Sequence, residues 1–379
     1  MKTYFNYPTR IIFGQGVIDD LVNELNNIKS KRPLIITDRG LIKTDIPERI
    51  LGIIKKGGLE GEIFSDIEPN PTDSQIDESL KVFLNHNADS IVAVGGGSPI
   101  DAGKGLQIRI NHHEPLEVYD DLLGGDTLIT KEIPPLIAIP TTAGTGSEVS
   151  RSAVITIAAV DRKVVLFSPR LMPTVAICDP ELTYGLPPRI TAETGMDALS
   201  HNLEAFFSKG YHPMADGIAL KGMELIASSL IKAVENGKDV QARQDMMMAS
   251  TMGAVAFQKG LGVIHSLAHP LSSVTKVSHG LANAIMMPHA IRFNGEVIGD
   301  RIKEVARVLK VKESSVEGVA KTIEEMCQKM GLPLRLSEVG VTQEHIPKLV
   351  EKAMIDGCHR TNPRSCTEED MKKLFQMAM

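Results

Sequence analysis

The sequence predicts an α/β amino-terminal domain with a parallel sheet over residues 1–185 and an all-helical carboxyl-terminal domain over 186–379. Three observations predict it. Short apolar runs alternate with helical patterns in the first half, the signature of a parallel sheet. After Leu186-Pro187-Pro188 strand-like runs become scarce and helical periodicity takes over. A chain of 379 residues also exceeds one ordinary core, so two domains are expected.

The clearest strand runs are 33–38 (PLIITD), 90–94 (SIVAV), 136–139 (LIAI) and 174–178 (TVAIC). None alternates polar with apolar, as expected of strands covered on both faces. Helical patterns fall between them at 17–27, 46–57 and 74–85, and Ser98-Pro99 reads as N-cap and first turn of a helix running to about residue 110. In the second half, Thr191-x-x-Thr194 opens a helical stretch. Further patterns follow at 214–236, 240–258, 262–269, 298–309, 315–330, 343–354 and 368–377. The two domains are expected to pack directly and leave a ligand cleft.

Composition narrows the function. A net charge of −6 and the absence of a basic run give nucleic acid or an anionic membrane no electrostatic partner. No window approaches a membrane span, and no apolar stretch near the amino terminus reads as a signal peptide. Cys178, Cys327, Cys358 and Cys366 are widely spaced, which predicts a reduced, cytoplasmic protein. Any metal must then be held by histidines and carboxylates.

Two turns look suited to phosphate. Val94-Gly95-Gly96-Gly97-Ser98-Pro99-Ile100-Asp101 lies between a buried strand and a helix start, where Gly96, Gly97 and Ser98 would meet an anion. Asp101, which closes the motif, is kept as a cofactor candidate beside them and not as an anion contact. The motif fits neither the Rossmann G-x-G-x-x-G spacing nor the Walker A pattern, and on spacing alone a plain tight turn is as good a reading. The segment 140–150 (PTTAGTGSEVS) follows another buried strand and carries Thr141, Thr142, Thr145 and Ser150 among its hydroxyls. Two such turns at the carboxyl ends of parallel strands are where open α/β sheets bind nucleotides. Asp38, ending the first clear strand, could accept from a ribose diol or simply close a solvent-facing turn.

Asp197 and His201 are four apart in a helical pattern and so share a face; His265 and His269 repeat that spacing, and His279 follows within ten residues. Their neighbours are small or apolar, which points the imidazoles inward, where unpaired rings are costly. Imidazoles with a carboxylate suit Fe(II) or Zn(II), and the ligand types do not choose between them.

Taken in order, these motifs resemble the iron-containing (group III) alcohol dehydrogenase family. The likeness spans Phe13-Gly14-x-Gly16, Pro69-Asn70-Pro71-Thr72, GGGSPID at 95–101, IPTTAGTGSEV at 139–149, Asp179-Pro180-Glu181-Leu182, GMDALSHNLEAF at 195–206, HSLAHPLSSVTKVSHG at 265–280 and Asn362-Pro363-Arg364. The resemblance implies a dehydroquinate synthase-like two-domain fold, with a dinucleotide-binding amino-terminal domain and a helical metal-binding and catalytic carboxyl-terminal domain, and a metal-dependent, NAD-linked alcohol dehydrogenase or aldehyde reductase. Its substrate would be a small primary alcohol, diol or hydroxy acid. The resemblance makes Asp197, His201, His265 and His279 the ligands of one divalent metal, with Fe(II) ahead of Zn(II), and His269 a proton relay. Asp38, Asn70, Gly97, Ser98, Thr141, Thr142, Thr145 and Leu182 match cofactor contacts, and Lys163 falls in a stretch that reaches the cofactor. Phe257 and Cys358 match the substrate pocket. It also implies a homodimer or larger homo-oligomer, formed through the amino-terminal strand.

Between His269 and His279 the chain departs from the pattern: Pro270, Ser272, Ser273 and Lys276 stand where glycine or aromatic residues are common, so Lys276 either favours an anionic substrate or points to solvent. Two rivals remain. A lyase or cyclase of the dehydroquinate synthase type needs a Lys/Arg cluster, and none lies beside 197–201 or 265–279. A non-catalytic NAD- and metal-binding protein would bind without turnover.

Overall fold

The computed structural model describes Tyr7 and residues 9–379; the remainder of the amino-terminal stretch, where an oligomer contact is expected, lies outside the described residues. The chain divides into two compact units. One comprises Tyr7–Thr142 and Gly146–Thr183, the other Ala143–Thr145 and Tyr184–Met379.

The sheet unit holds β1 (Arg10–Phe13), β2 (Pro33–Asp38), β3 (Glu62–Ile67), β4 (Ser90–Gly95), β5 (Leu136–Pro140), the hairpin β6 (Ser152–Ile157) and β7 (Arg162–Phe167), and β8 (Val175–Cys178). Its helices are α1 (Leu21–Asn27), α2 (Ile46–Lys56), α3 (Asp73–Asn85) and α4 (Gly97–Asn111). Six strands form one sheet in the order β1-β8-β5-β4-β2-β3, parallel throughout. Apolar residues cover both faces, which is why the strands lack alternation. Leu34 and Ile36 of β2 join Ile76, Leu106 and Ile155 on one side, while Ile35 joins Leu25, Ile50 and Ile54 on the other. From β2 the chain crosses outward to β3 and then back past β2 to β4, so the winding reverses between these two neighbours. Ligand crevices open at the carboxyl ends of strands at such a reversal.

The helical unit is built from α5 (Pro188–Phe207), α6 (Pro213–Glu235), α7 (Val240–Ala256), α8 (Val263–Val274), α9 (His279–Ile298), α10 (Arg301–Val308), α11 (Val316–Lys329), α12 (Ile346–Ile355) and α13 (Glu368–Met377). None of these helices, nor any in the sheet unit, is long and apolar enough to cross a membrane.

The structure differs from the sequence expectation in its strands, in α8 and α9, and at the start of α4. The hairpin β6–β7 and the strands β1 and β3 join the expected four runs. The helix expected to stop at His269 continues through Pro270 to Val274, and α9 follows with Pro288 inside it. A proline in a periodic pattern reads as a stop, but both helices are buried along much of their length, and tertiary packing outweighs the lost bond. Ser98 is not the cap of α4. Gly96 occupies that position without a side-chain cap, and the Ser98 hydroxyl accepts from Asn70 N at 3.3 Å.

Candidate active site

In the helical unit, α5 presents Asp197 and His201 on one face, one turn apart. Beside α5 lies the start of α9, and the approach is close: a Cβ on Gly280 would stand 2.1 Å from the Glu193 carbonyl oxygen. Only glycine permits this contact, and it sets the adjoining His279 against Asp197. His265 enters from the first turn of α8.

The result is one cluster centred on Asp197 Oδ1. His279 Nε2 lies 3.4 Å from that oxygen, His201 Nε2 3.8 Å and His265 Nε2 3.9 Å. The structure thus brings together all four residues singled out as ligands. Asp197, His201 and His265 are buried, while the His279 side chain keeps 28 % of its exposure. His265 Nε2 is buried with no hydrogen-bond partner. A lone pair left so in a protein interior is costly, and a shared divalent cation would satisfy it along with the carboxylate.

The other nitrogens orient the rings. His201 Nδ1 donates to the Gly144 carbonyl at 3.2 Å, and His265 Nδ1 meets Glu204 Oε2 at 2.6 Å. Each bond turns the Nε2 lone pair toward Asp197, the outer support that metal-binding histidines require. Burial lowers both imidazoles to about 4, outweighing the pull of Asp197, so both rings are neutral and able to bind a cation. Burial likewise pushes the Glu204 carboxyl up to about 8, against the stabilising N–H groups of Ile264, Gly262 and His265. Glu204 Oε1 accepts from Ile264 N at 2.6 Å and Asn362 Oδ1 from Val263 N at 3.2 Å, so both cap the start of α8.

Sequence reasoning missed Glu204 and Asn283, although each carried a signal. Glu204 follows His201 by one turn within an apolar helix, and Asn283 follows His279 by four residues and donates to Asp197 Oδ1 at 2.7 Å. Asn362-Pro363-Arg364 proves to be a latch. Besides capping α8, Asn362 exchanges bonds with Asn294, and Arg364 lies over the Phe293 ring.

His269 sits one turn beyond His265, its ring 5.3 Å from that of His279 and stacked on it, its Nδ1 2.7 Å from Asp356. Phe257 packs 5.2 Å from the His201 ring. Cys358 N donates to Asp356, and desolvation, reinforced by Asp356 and Glu204, holds the Cys358 thiol well above its ordinary range. Lys276 is exposed in the left-handed turn between α8 and α9.

In the sheet unit, Asp38 and the 95–98 turn lie at the carboxyl ends of neighbouring β2 and β4. Gly95 has φ +148°, and a Cβ there would meet Pro99 Cγ at 2.6 Å and Asp38 Oδ2 at 3.1 Å, so the turn closes against Asp38 only with glycine. Asp38 Oδ1 accepts from Gly40 N and Leu41 N, both at 2.8 Å. Thr141 N donates to Gly95 O, and Thr142 borders Gly96. Asn70 takes a left-handed φ of 62° beside Ser98. These residues converge around the side-chain-uncapped amino terminus of α4, which favours an anion.

The remaining cofactor candidates have further partners of their own. Thr145 falls in the helical unit's segment Ala143–Thr145. Asp101 spends both oxygens internally, accepting from Ser147 Oγ at 2.6 Å and Val154 N at 3.0 Å. Ser150 pairs with Ser152 Oγ at 2.8 Å and offers its carbonyl to Lys104. Lys163 is on β7, its amine lowered to about 8 by burial against the opposing charge of Asp101. Leu182 is buried in the core beneath the sheet.

A nucleotide-type sheet with an uncapped glycine turn, and a helical unit with a carboxylate–trihistidine cluster, define a metal-dependent oxidoreductase of the nucleotide-using class. Comparison with known proteins gives the family. Residues 8–180 match the family model "Iron-containing alcohol dehydrogenase", and residues 191–379 match "Fe-containing alcohol dehydrogenase family, C-terminal". The chain belongs to the iron-containing alcohol dehydrogenase family and is an oxidoreductase acting on CH–OH groups. It is 38 % identical to a 4-hydroxybutyrate dehydrogenase of Cupriavidus necator over 99 % of this chain and 100 % of that one. It is 36 % identical to an NAD-dependent methanol dehydrogenase of Bacillus methanolicus, with 100 % of both chains covered. A crystal structure of a 1,3-propanediol oxidoreductase superposes with a TM-score of 0.95 at 36 % identity, over 100 % of both chains. Membership implies NAD and a divalent metal.

Proposed function

We propose that the chain oxidises a small primary alcohol, diol or hydroxy acid with NAD, and runs the aldehyde reduction in reverse, around an Fe(II) ion held by Asp197, His201, His265 and His279. The observation that carries this reading is the convergence of three imidazoles on Asp197 Oδ1, with the buried His265 Nε2 lacking any protein partner. When bound, the metal supplies Lewis acidity at the substrate oxygen and NAD the hydride acceptor.

The chain's own residues do the rest. Glu204 holds the His265 ring in place, and the Gly144 carbonyl holds His201 in the tautomer a cation needs. The α4 amino terminus receives the pyrophosphate with Gly96, Gly97 and Ser98, while Asp38 accepts from the ribose and repels a 2′-phosphate. Thr141, Thr142, Asn70, Thr145, Ser150, Lys163 and Leu182 belong to the same cofactor reading; Asp101 supports it by holding the turn at Ser147. Phe257 and Cys358 border the substrate, and His269 passes the substrate's proton toward solvent. Lys276, exposed in its turn, leaves the choice of a hydroxy acid resting on likeness to the 4-hydroxybutyrate enzyme. A cytoplasmic homo-oligomer, consistent with four free cysteines, completes the proposal.

Metal analysis of the purified protein, paired with an NAD and NADP screen over methanol, 1,3-propanediol and 4-hydroxybutyrate, tests this. Roughly one equivalent of iron and NADH formation with one of these classes is the expected result. Stoichiometric zinc without iron would overturn the metal assignment, and tight NAD binding without turnover of any of them would overturn the substrate class.

A further inference from the structure

His269 owes its orientation to a residue 87 positions away. Its Nδ1 lies 2.7 Å from Asp356 Oδ2, and Asp356 stands at the carboxyl cap of α12. The other carboxylate oxygen, Oδ1, accepts from Ser266 Oγ at 2.7 Å and from Cys358 N at 2.8 Å. Ser266 Oγ in turn accepts from His359 N at 2.8 Å, so its own proton is directed at Asp356. Both partners of Oδ1 are therefore donors, the surroundings of an ionised carboxylate. Burial disfavours its charge, but His269 and the bonds from Ser266 and Cys358 N outweigh that and hold the carboxyl well below the ordinary range. An ionised carboxylate only accepts, so His269 Nδ1 must carry the hydrogen, and the lone pair of the neutral ring sits on Nε2.

We propose that Asp356 is a positioning residue that fixes His269 in the Nδ1–H tautomer, so that Nε2 is the nitrogen which takes the proton lost from the substrate hydroxyl. The inference rests on the relay role given to His269 above. As the substrate O–H bond breaks, its proton reaches Nε2, the ring becomes an imidazolium facing the Asp356 carboxylate, and the proton then leaves to solvent. The carbinol hydride and its electron pair go to NAD.

The network makes an unusual demand on variants. An asparagine at 356 has the shape of the aspartate, but its single oxygen must face Ser266 O–H and Cys358 N–H. The amide NH2 is then turned toward His269 Nδ1, which must accept, and the ring's hydrogen moves to Nε2. A packing role predicts that Asp356→Asn works better than Asp356→Ala. Tautomer control predicts that it does not.

The test uses zinc-loaded protein labelled with nitrogen-15 histidine, with His269→Gln to assign the ring. Long-range proton–nitrogen spectra should read Nδ1–H at His269 in the natural chain and Nε2–H in Asp356→Asn. Metal content should stay unchanged, KM should move less than about threefold, and kcat should fall about 10²- to 10⁴-fold, no better than in Asp356→Ala. An Nδ1–H signal in Asp356→Asn, or activity in Asn that Ala lacks, would overturn the inference. A His269→Gln enzyme with natural kcat would overturn the relay reading instead, and the spectra would still decide the tautomer.

Discussion

Each unit gathers electron-pair donors around a point, and the two differ in who supplies the positive charge. In the sheet unit the chain supplies it. Lys104, fully buried, places Nζ within 2.7–2.9 Å of the Ser147, Ser150 and Ser152 carbonyls and Ser147 Oγ. In the helical unit Asp197 and three imidazoles converge, two of the rings neutral by burial, and His265 Nε2 finds no partner in the protein. The first arrangement fixes a loop; the second is built to bind. A convergent donor set completed by an internal ammonium reads as architecture, whereas one left incomplete reads as a site.

Removing the helical unit's donor should have the largest effect. His265→Ala is expected to drop bound metal below about 10 % and kcat by on the order of 10³-fold, with the far-ultraviolet circular dichroism unchanged. Metal analysis by plasma emission checks it, and full metal content in the variant would break the contrast drawn above. Lys104→Met should act on folding instead. Losing the ammonium strands three carbonyls and removes a charge that balances Asp101, a cost of about 3–5 kcal/mol in denaturant unfolding, while metal content stays at the natural level. A variant as stable as the natural chain would show that the loop does not depend on its buried cation.

The same contrast explains what could be read from the sequence. Four central strands were legible because burial on both faces leaves uninterrupted apolar runs. Asp197, His201 and His265 stood out by helical spacing in apolar surroundings, and the family resemblance added His279 and set His269 apart. The α9 helix was not, since Pro288 interrupts it and burial nearly all round leaves no amphipathic stripe. Lys104 was hidden for a different reason: its partners lie 43 to 48 residues away, and nothing local marks a lysine as caged rather than solvated. Asp356 is a stronger case still, being defined wholly by distant donors. Local periodicity reports which way a side chain faces, but not what arrives to meet it.

The smallest expected effect concerns Asp38, where both kinds of role meet in one side chain. Oδ1 closes the Gly40–Leu41 turn, while Oδ2 faces the position a Gly95 Cβ would take. Asp38→Asn keeps an oxygen for the turn and replaces the charged acceptor with an NH2 group. A ribose diol then loses a charge-assisted bond, and a 2′-phosphate loses a repelling charge. The KM for NAD should rise roughly tenfold, about 1.4 kcal/mol, and the ratio of NADP to NAD turnover should rise with it, at unchanged thermal stability. Steady-state kinetics with both cofactors decide the matter. An unchanged ratio would make Asp38 a turn residue alone, so that, like Lys104, it would serve the sheet unit's architecture rather than its ligand.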